Sequence, residues 1–251
     1  MPEFLSFDFF VLVAIGFFAQ SIDGALGMAF GVVSSSAMLA FGLPPAHASA
    51  VAHTAEIFTT AASGASHVYH RNVDRRLVIR LGVAGVVGAV LGAWVLSNVD
   101  AALMRPFVAT YLLIIGLYIL LKAMSVTHGR DAPSPWVAPV GFVAGFLDAS
   151  GGGGWGPVAT SALVGSGHAP RIAVGSVNAT EFFVTVAAAT TFFIELGAAP
   201  LPMLAGLVVG GLLAAPFGGW LVRRISPTVL MFAVGVLIIV LALWQLARAF
   251  S

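Results

Sequence analysis

Apolar runs follow one another along almost the whole chain, at about 9–22, 28–43, 46–69, 77–97, 101–124, 136–149, 155–167, 172–194, 200–222 and 228–249. A helix needs roughly 20 residues to cross the hydrocarbon core of a bilayer, and six of these runs reach that length. The other four are short and come as pairs, 9–22 with 28–43 and 136–149 with 155–167, each pair broken at a glycine-rich turn. Only 8% of the 251 residues are charged and the mean hydropathy is +1.03, whereas soluble domains carry roughly 25% charge. So few charges cannot cover a globule of this size with polar surface, so its surroundings must be largely hydrocarbon. The predicted fold class is an all-α polytopic membrane protein.

The same scarcity removes several functions. A formal net charge of +1 leaves no basic face for nucleic acid, and the absence of Cys removes disulfides, thiolate metal sites and a cysteine nucleophile together. His67 and His70 are spaced for one helix face but have no third ligand nearby, so neither a metal nor a cofactor is expected. Neither a Gly-x-Ser-x-Gly elbow nor a His-Glu-x-x-His site is present, which argues against an intramembrane hydrolase. At the N-terminus, Glu3 and Asp8 stand where a signal peptide would carry basic residues, so this segment is expected to be retained.

The chain is internally duplicated. A shift of 125 residues, without gaps, superposes Gly16 on Gly141, Asp23 on Asp148, Gly27 on Gly152, Gly31 on Gly156, Pro45 on Pro170, Glu56 on Glu181 and Thr60 on Thr185. Shared apolar composition can align Ala, Gly and Phe by accident, but rare acids agreeing in register point to a true repeat. The expected organisation is a first transmembrane repeat over 1–124, a polar linker over 125–135 and a second repeat over 136–251.

Basic residues orient the repeats. If each short pair were one broken spanning helix, the repeats would be parallel and the Lys and Arg residues would divide between both sides. If each pair is a re-entrant hairpin followed by three spans, the second repeat is inverted. Nine of the eleven basic residues then share a side, leaving Arg105 and Arg248 opposite. The positive-inside rule selects the inverted version, with a cytoplasmic linker, external termini and hairpin tips that enter from opposite faces. Arg71, Arg75, Arg76 and Arg80 read as topology determinants at the lipid head groups.

The chemistry gathers at the tips. The second is Phe146-Leu-Asp-Ala-Ser-Gly-Gly-Gly-Gly-Trp-Gly-Pro157 and the first Ile22-Asp-Gly-Ala-Leu-Gly-Met-Ala-Phe-Gly31. Non-helical backbone at membrane depth survives only inside protein or beside a water-filled cavity. Gly152, Gly153 and Gly154 clear side chains from the backbone, and a half-helix starting near Trp155 directs its positive end at the same spot, so Gly152, Gly153, Gly154 and Trp155 are the expected anion-binding residues. Close helix packing is the alternative use of such glycines. His53 with Glu56, and Asn178 with Glu181, lie three residues apart on spanning helices and share a face. His53 and Asn178 are polar neighbours for the anion. Glu56 and Glu181 are candidate proton-linked groups, the alternative being structural hydrogen bonds to the tips. Asp23 and Asp148 each precede a glycine turn, where a carboxylate can cap the following half-helix or take part in transport.

The motif Gly151-Gly-Gly-Gly-Trp-Gly-Pro157 followed by Ser176-Val-Asn-Ala-Thr-Glu181, within two homologous halves, resembles the TauE/SafE-type sulfite exporters, the TSUP permeases. The likeness covers nearly the whole chain. The first half departs from the glycine run, having Gly24-Ala-Leu-Gly27-Met-Ala-Phe-Gly31 instead. The resemblance implies a secondary transporter in the bacterial inner membrane, exporting sulfite, organosulfonates or related small anions. A passive anion channel, or a carrier of another small carboxylate or anion, is the alternative. Expected partners are the anion and membrane lipid, with a homo-oligomer left open.

Overall fold

The computed structural model describes residues 7–123, 136–215 and 227–249. The predicted linker, the first six residues and the end of the 200–222 run lie outside the described residues. Within them are ten helices: α1 (Phe7–Leu26), α2 (Phe30–Ala40), α3 (Pro45–Tyr69), α4 (Arg75–Asn98), α5 (Ala101–Ala123), α6 (Val137–Gly151), α7 (Trp155–Gly165), α8 (Pro170–Leu196), α9 (Leu201–Ala214) and α10 (Pro227–Ala249). No strand occurs among the described residues. The protein is an all-α polytopic membrane protein. Among the described residues, three helical stretches, Arg75–Asn98, Ala101–Lys122 and Arg171–Leu196, are long and apolar enough to cross a membrane by length and composition.

Local chemistry sets the helix starts. Pro45 and Pro170, one repeat apart, open α3 and α8 at first-turn positions, where a missing N–H costs nothing. Asp74 caps α4 by accepting from the amides of Arg76 (2.7 Å) and Leu77 (3.4 Å).

Packing exchanges the two halves. The pairing of α4 with α6 is matched by that of α9 with α1, and α3 and α5 pair with their own counterparts α8 and α10. Close approaches give the helix directions. Gly141 lies against Leu81, Gly145 against Gly85 and Gly92 against Ala149, so α4 and α6 run the same way. Ser63 bonds Asn178 while His53 stacks near Phe192, so α3 and α8 run oppositely. Gly116 meets Ile239 and Leu120 meets Gly235, so α5 and α10 are also opposed. The counterpart pairs α3–α8 and α5–α10 thus each run in opposite directions, and the α1–α2 and α6–α7 turns meet inside the bundle.

Glycines make the α4–α6 and α1–α9 contacts close. A Cβ on Gly88 would collide with the Phe142 carbonyl, and one on Gly145 with that of Gly85. Small residues at such crossings let backbones touch where lipid supplies no hydrophobic drive. We expect Gly88→Ala and Gly145→Ala each to destabilise the purified protein by about 1–3 kcal/mol. Gly165→Ala, which meets no atom within 4 Å, should leave the thermal midpoint in detergent unchanged.

Candidate functional site

Each hairpin interrupts its helix at mid-bundle and must satisfy the exposed backbone there. In the second tip the amides of Gly152 and Gly153 both donate to the Asp148 carbonyl, the latter at 2.8 Å. Three successive glycines adopt positive φ, at 77°, 126° and 144° for Gly152, Gly153 and Gly154, conformations that side chains disfavour. The Asp148 carboxylate then reaches across the turn, where Oδ1 accepts from the Trp155 amide at 2.9 Å and so caps α7. The first tip repeats the device. Asp23 Oδ1 accepts from the amides of Ala29 (2.8 Å) and Phe30 (3.3 Å) at the start of α2, around Gly27 at φ 64°. Gly24 is part of α1 rather than of the turn.

The two tips touch. A Cβ on Gly153 would run into the backbone of Gly31 and Val32, and one on Gly156 into Gly27 and Met28. The glycines therefore permit the crossing itself as well as leaving the backbone bare.

Several polar side chains singled out in the sequence have protein partners here. His53 Nε2 lies 3.1 Å from Asp148 Oδ2, and its Nδ1 is 2.8 Å from the Ser49 carbonyl. Ser49 Oγ in turn donates to the Ala149 carbonyl at 3.0 Å, so α3 of the first half grips the tip of the second. The repeat counterpart of His53, Asn178, donates to the Val174 carbonyl (3.0 Å), accepts from Ser63 (2.9 Å) and lies against Gly27. Trp155 is fully buried, its indole N–H donating to the Val177 carbonyl at 3.2 Å and its ring packed under Gly85.

Glu56 and Glu181 converge from α3 and α8 on the crossing. Together with Asp23, Asp148, Met28–Val32 and Gly154–Pro157 they line a small cavity. Its volume is about 10 Å³, the space of about one water. Glu56 accepts from the Gly31 amide, while Oε2 of Glu56 and Oε2 of Glu181 have no partner among the described residues. Both side chains are buried.

Residues that sequence reasoning passed over also meet the second tip. Tyr111 on α5 lies against Gly151 and Gly154. Ser35 on α2 lies against Gly152. In the sequence Tyr111 is one aromatic residue in an apolar span and Ser35 one of three consecutive serines, so neither shows a spacing that marks it.

Comparison with known proteins accords with this architecture. Residues 12–244 match the family model described as "Sulfite exporter TauE/SafE". The chain is 42% identical over 238 residues to the "Probable membrane transporter protein YtnM" of Bacillus subtilis (strain 168), covering 91% of this chain and 79% of that relative. No solved structure matches it.

The capping geometry makes the two aspartates unequal. Asp23→Ala removes a half-helix cap and should cost about 0.5–2 kcal/mol. Asp148→Ala also strands buried His53, and losing one member of a buried pair costs about 3–5 kcal/mol. Thermal unfolding of the two variants in detergent should show the larger loss for Asp148→Ala.

Proposed function

The chain belongs to the sulfite exporter TauE/SafE family, and on that premise we propose that it is a secondary carrier exporting small sulfur-containing anions such as sulfite or organosulfonates, with proton movement linked through Glu56 and Glu181. The observation that carries this reading is the crossing of two capped hairpin tips around a small, carboxyl-lined cavity. A space of about 10 Å³ holds one water and no sulfonate, so an anion passes only when the tips or their supporting helices move. That is the behaviour of a carrier with alternating access. Glu56 and Glu181 are buried beside the glycine tip. When ionised they repel an anion at the tip, and the low dielectric enlarges the repulsion. Protonating them removes it, so anion occupancy and proton uptake favour one another.

The sign of the pH dependence follows. Anion affinity should rise as pH falls, by up to about tenfold per pH unit for each proton taken up. Glu181→Gln imitates the protonated state and should keep anion binding while flattening its pH dependence. Glu56→Gln should do so less, because Glu56 retains its bond from Gly31 and belongs to the half without the glycine run. Transport of sulfite into proteoliposomes, followed with and without a proton gradient, reads this directly. Wild-type pH dependence in both variants would make the carboxyls structural, and uptake that never exceeds equilibration would indicate a passive channel.

The proposed orientation places the linker in the cytoplasm and the termini in the periplasm of a bacterial inner membrane, following the basic residues. The chain has no Cys, so single cysteines report without background. Ala198→Cys, at an exposed position after α8, should react with an impermeant thiol reagent added to intact cells, and Ser134→Cys in the linker should not.

A further inference from the structure

One part of the crossing is the carboxyl-lined cavity, to which α5 and α10 contribute no residue. The positive ends of two half-helices amount to about one elementary charge together, and the capping carboxylates of Asp23 and Asp148 already answer it. Glu56 and Glu181 add two more acidic groups. This cavity suits protons and water, and it repels anions.

The second tip also meets α5 and α2, which bring against it the hydroxyls of Tyr111 and Ser35, two groups with no hydrogen-bond partner among the described residues. Several buried hydroxyls here bond back to the carbonyl four residues earlier, as Ser150 does at 2.6 Å, Thr180 at 2.6 Å and Thr60 at 2.5 Å. The hydroxyls of Ser34, Ser35, Ser36, Thr160 and Tyr111 have no such bond and no other partner among the described residues. Ser35 is 0% exposed and Tyr111 9%. Burying a hydroxyl without a partner costs roughly 1–3 kcal/mol, so two of them side by side call for a ligand. Two are placed against the glycine tip. An added Cβ on Gly152 would stand 3.3 Å from Ser35 Oγ, and one on Gly154 would collide with Tyr111 Oη. Gly152 and Gly154 are two residues apart, so the two hydroxyls flank a stretch of backbone no longer than about 7 Å. The amide of Gly154 also has no hydrogen-bond partner among the described residues.

The repeat adds an independent argument. Ser35 and Thr160 are counterparts at the 125-residue shift, and both are buried hydroxyls without partners. Tyr111 is not duplicated. The 126-residue shift that aligns Gly92-Ala-Trp94 with Gly218-Gly-Trp220 sets Leu237 opposite it. Among the described residues, the full set of donors therefore exists only at the second tip.

We propose that the transported anion is held on the α5 side of the second tip, its oxygens accepting from Tyr111 Oη, Ser35 Oγ and the Gly154 amide, with the adjoining acidic cavity reserved for protons. The ligand class is a small tetrahedral or pyramidal oxyanion with three acceptor oxygens and a single charge, such as a sulfonate. The placement rests on the carrier reading above. It assigns Tyr111 and Ser35 to substrate contact, while His53, Asn178 and Trp155 keep the protein partners described for them.

The test uses the purified full-length protein with sodium methanesulfonate and sodium sulfite as probes, binding being followed by calorimetry and stability by thermal unfolding without ligand. Tyr111→Phe and Ser35→Ala should each weaken binding by roughly 10- to 100-fold, as loss of a hydrogen bond to a charged group does. Both variants should melt at or above the wild-type temperature, because each removes a buried hydroxyl that lacks a protein partner. Gly165→Ala, at a position that meets no atom within 4 Å, should bind the probes as wild type does. Wild-type protein that binds neither probe overturns the carrier reading and this placement with it. If wild type binds and both hydroxyl variants bind equally tightly, the placement alone is overturned. A lower melting temperature in both variants also overturns it, since the hydroxyls would then be holding the fold together.

Discussion

An amide or carbonyl without a partner costs several kcal/mol in hydrocarbon, and the architecture of this protein is organised around four helix ends left open at mid-bundle. Asp23 and Asp148 resolve the most exposed of them by reaching over the glycine turns to the first amides of α2 and α7. A carboxylate in that position brings its own desolvation problem, answered by the positive ends of the half-helices and, for Asp148, by His53. Once the caps are set, the tips can approach until Gly153 touches Gly31 and Gly156 touches Gly27. The close packing of α4 with α6 and of α1 with α9 then holds each hairpin against a helix of the other half.

The duplication has diverged where the halves grip one another. In one half α3 contributes His53 to the opposite tip through Asp148; in the other, α8 contributes Asn178, which bonds Ser63 on α3 and leaves Asp23 to its capping role. Symmetric backbone thus carries unsymmetric chemistry. The second tip has the glycine run, the histidine partner and the tyrosine, whereas the first has Met28-Ala-Phe30 in the corresponding turn. On the proposed function, one substrate at a pseudo-symmetric crossing needs only one of the two tips to recognise it, which frees the other for packing.

Composition and periodicity carry far in a protein of this kind because lipid permits so few solutions. Eight per cent charge over 251 residues leaves hydrocarbon as the only solvent the surface can face, and a helix is then the default for every long apolar run. The 125-residue register of Asp23 with Asp148 and Glu56 with Glu181 located both tips and both acids, since rare polar residues within apolar runs are expensive and therefore informative. The side of the tip facing α5 was invisible to that reasoning. Tyr111 and Ser35 are ordinary residues for a membrane helix, and what distinguishes them is a missing hydrogen bond, a property of neighbours 40 to 117 residues away along the chain.

The linear pattern was sufficient to establish solvent, helix content, the repeat and the position of the breaks, because each depends on local residue type and spacing. Which groups at the crossing are already satisfied was settled by packing. His53 could have faced an anion, a proton path or another helix on spacing alone; three-dimensional contact with Asp148 and Ser49 uses both of its nitrogens. Glu56 and Glu181 lie 125 residues apart in sequence and line one cavity because α3 and α8 run antiparallel against each other. Pairwise satisfaction of buried polar groups is a non-local quantity: it depends on which helices meet, at what height and in which direction.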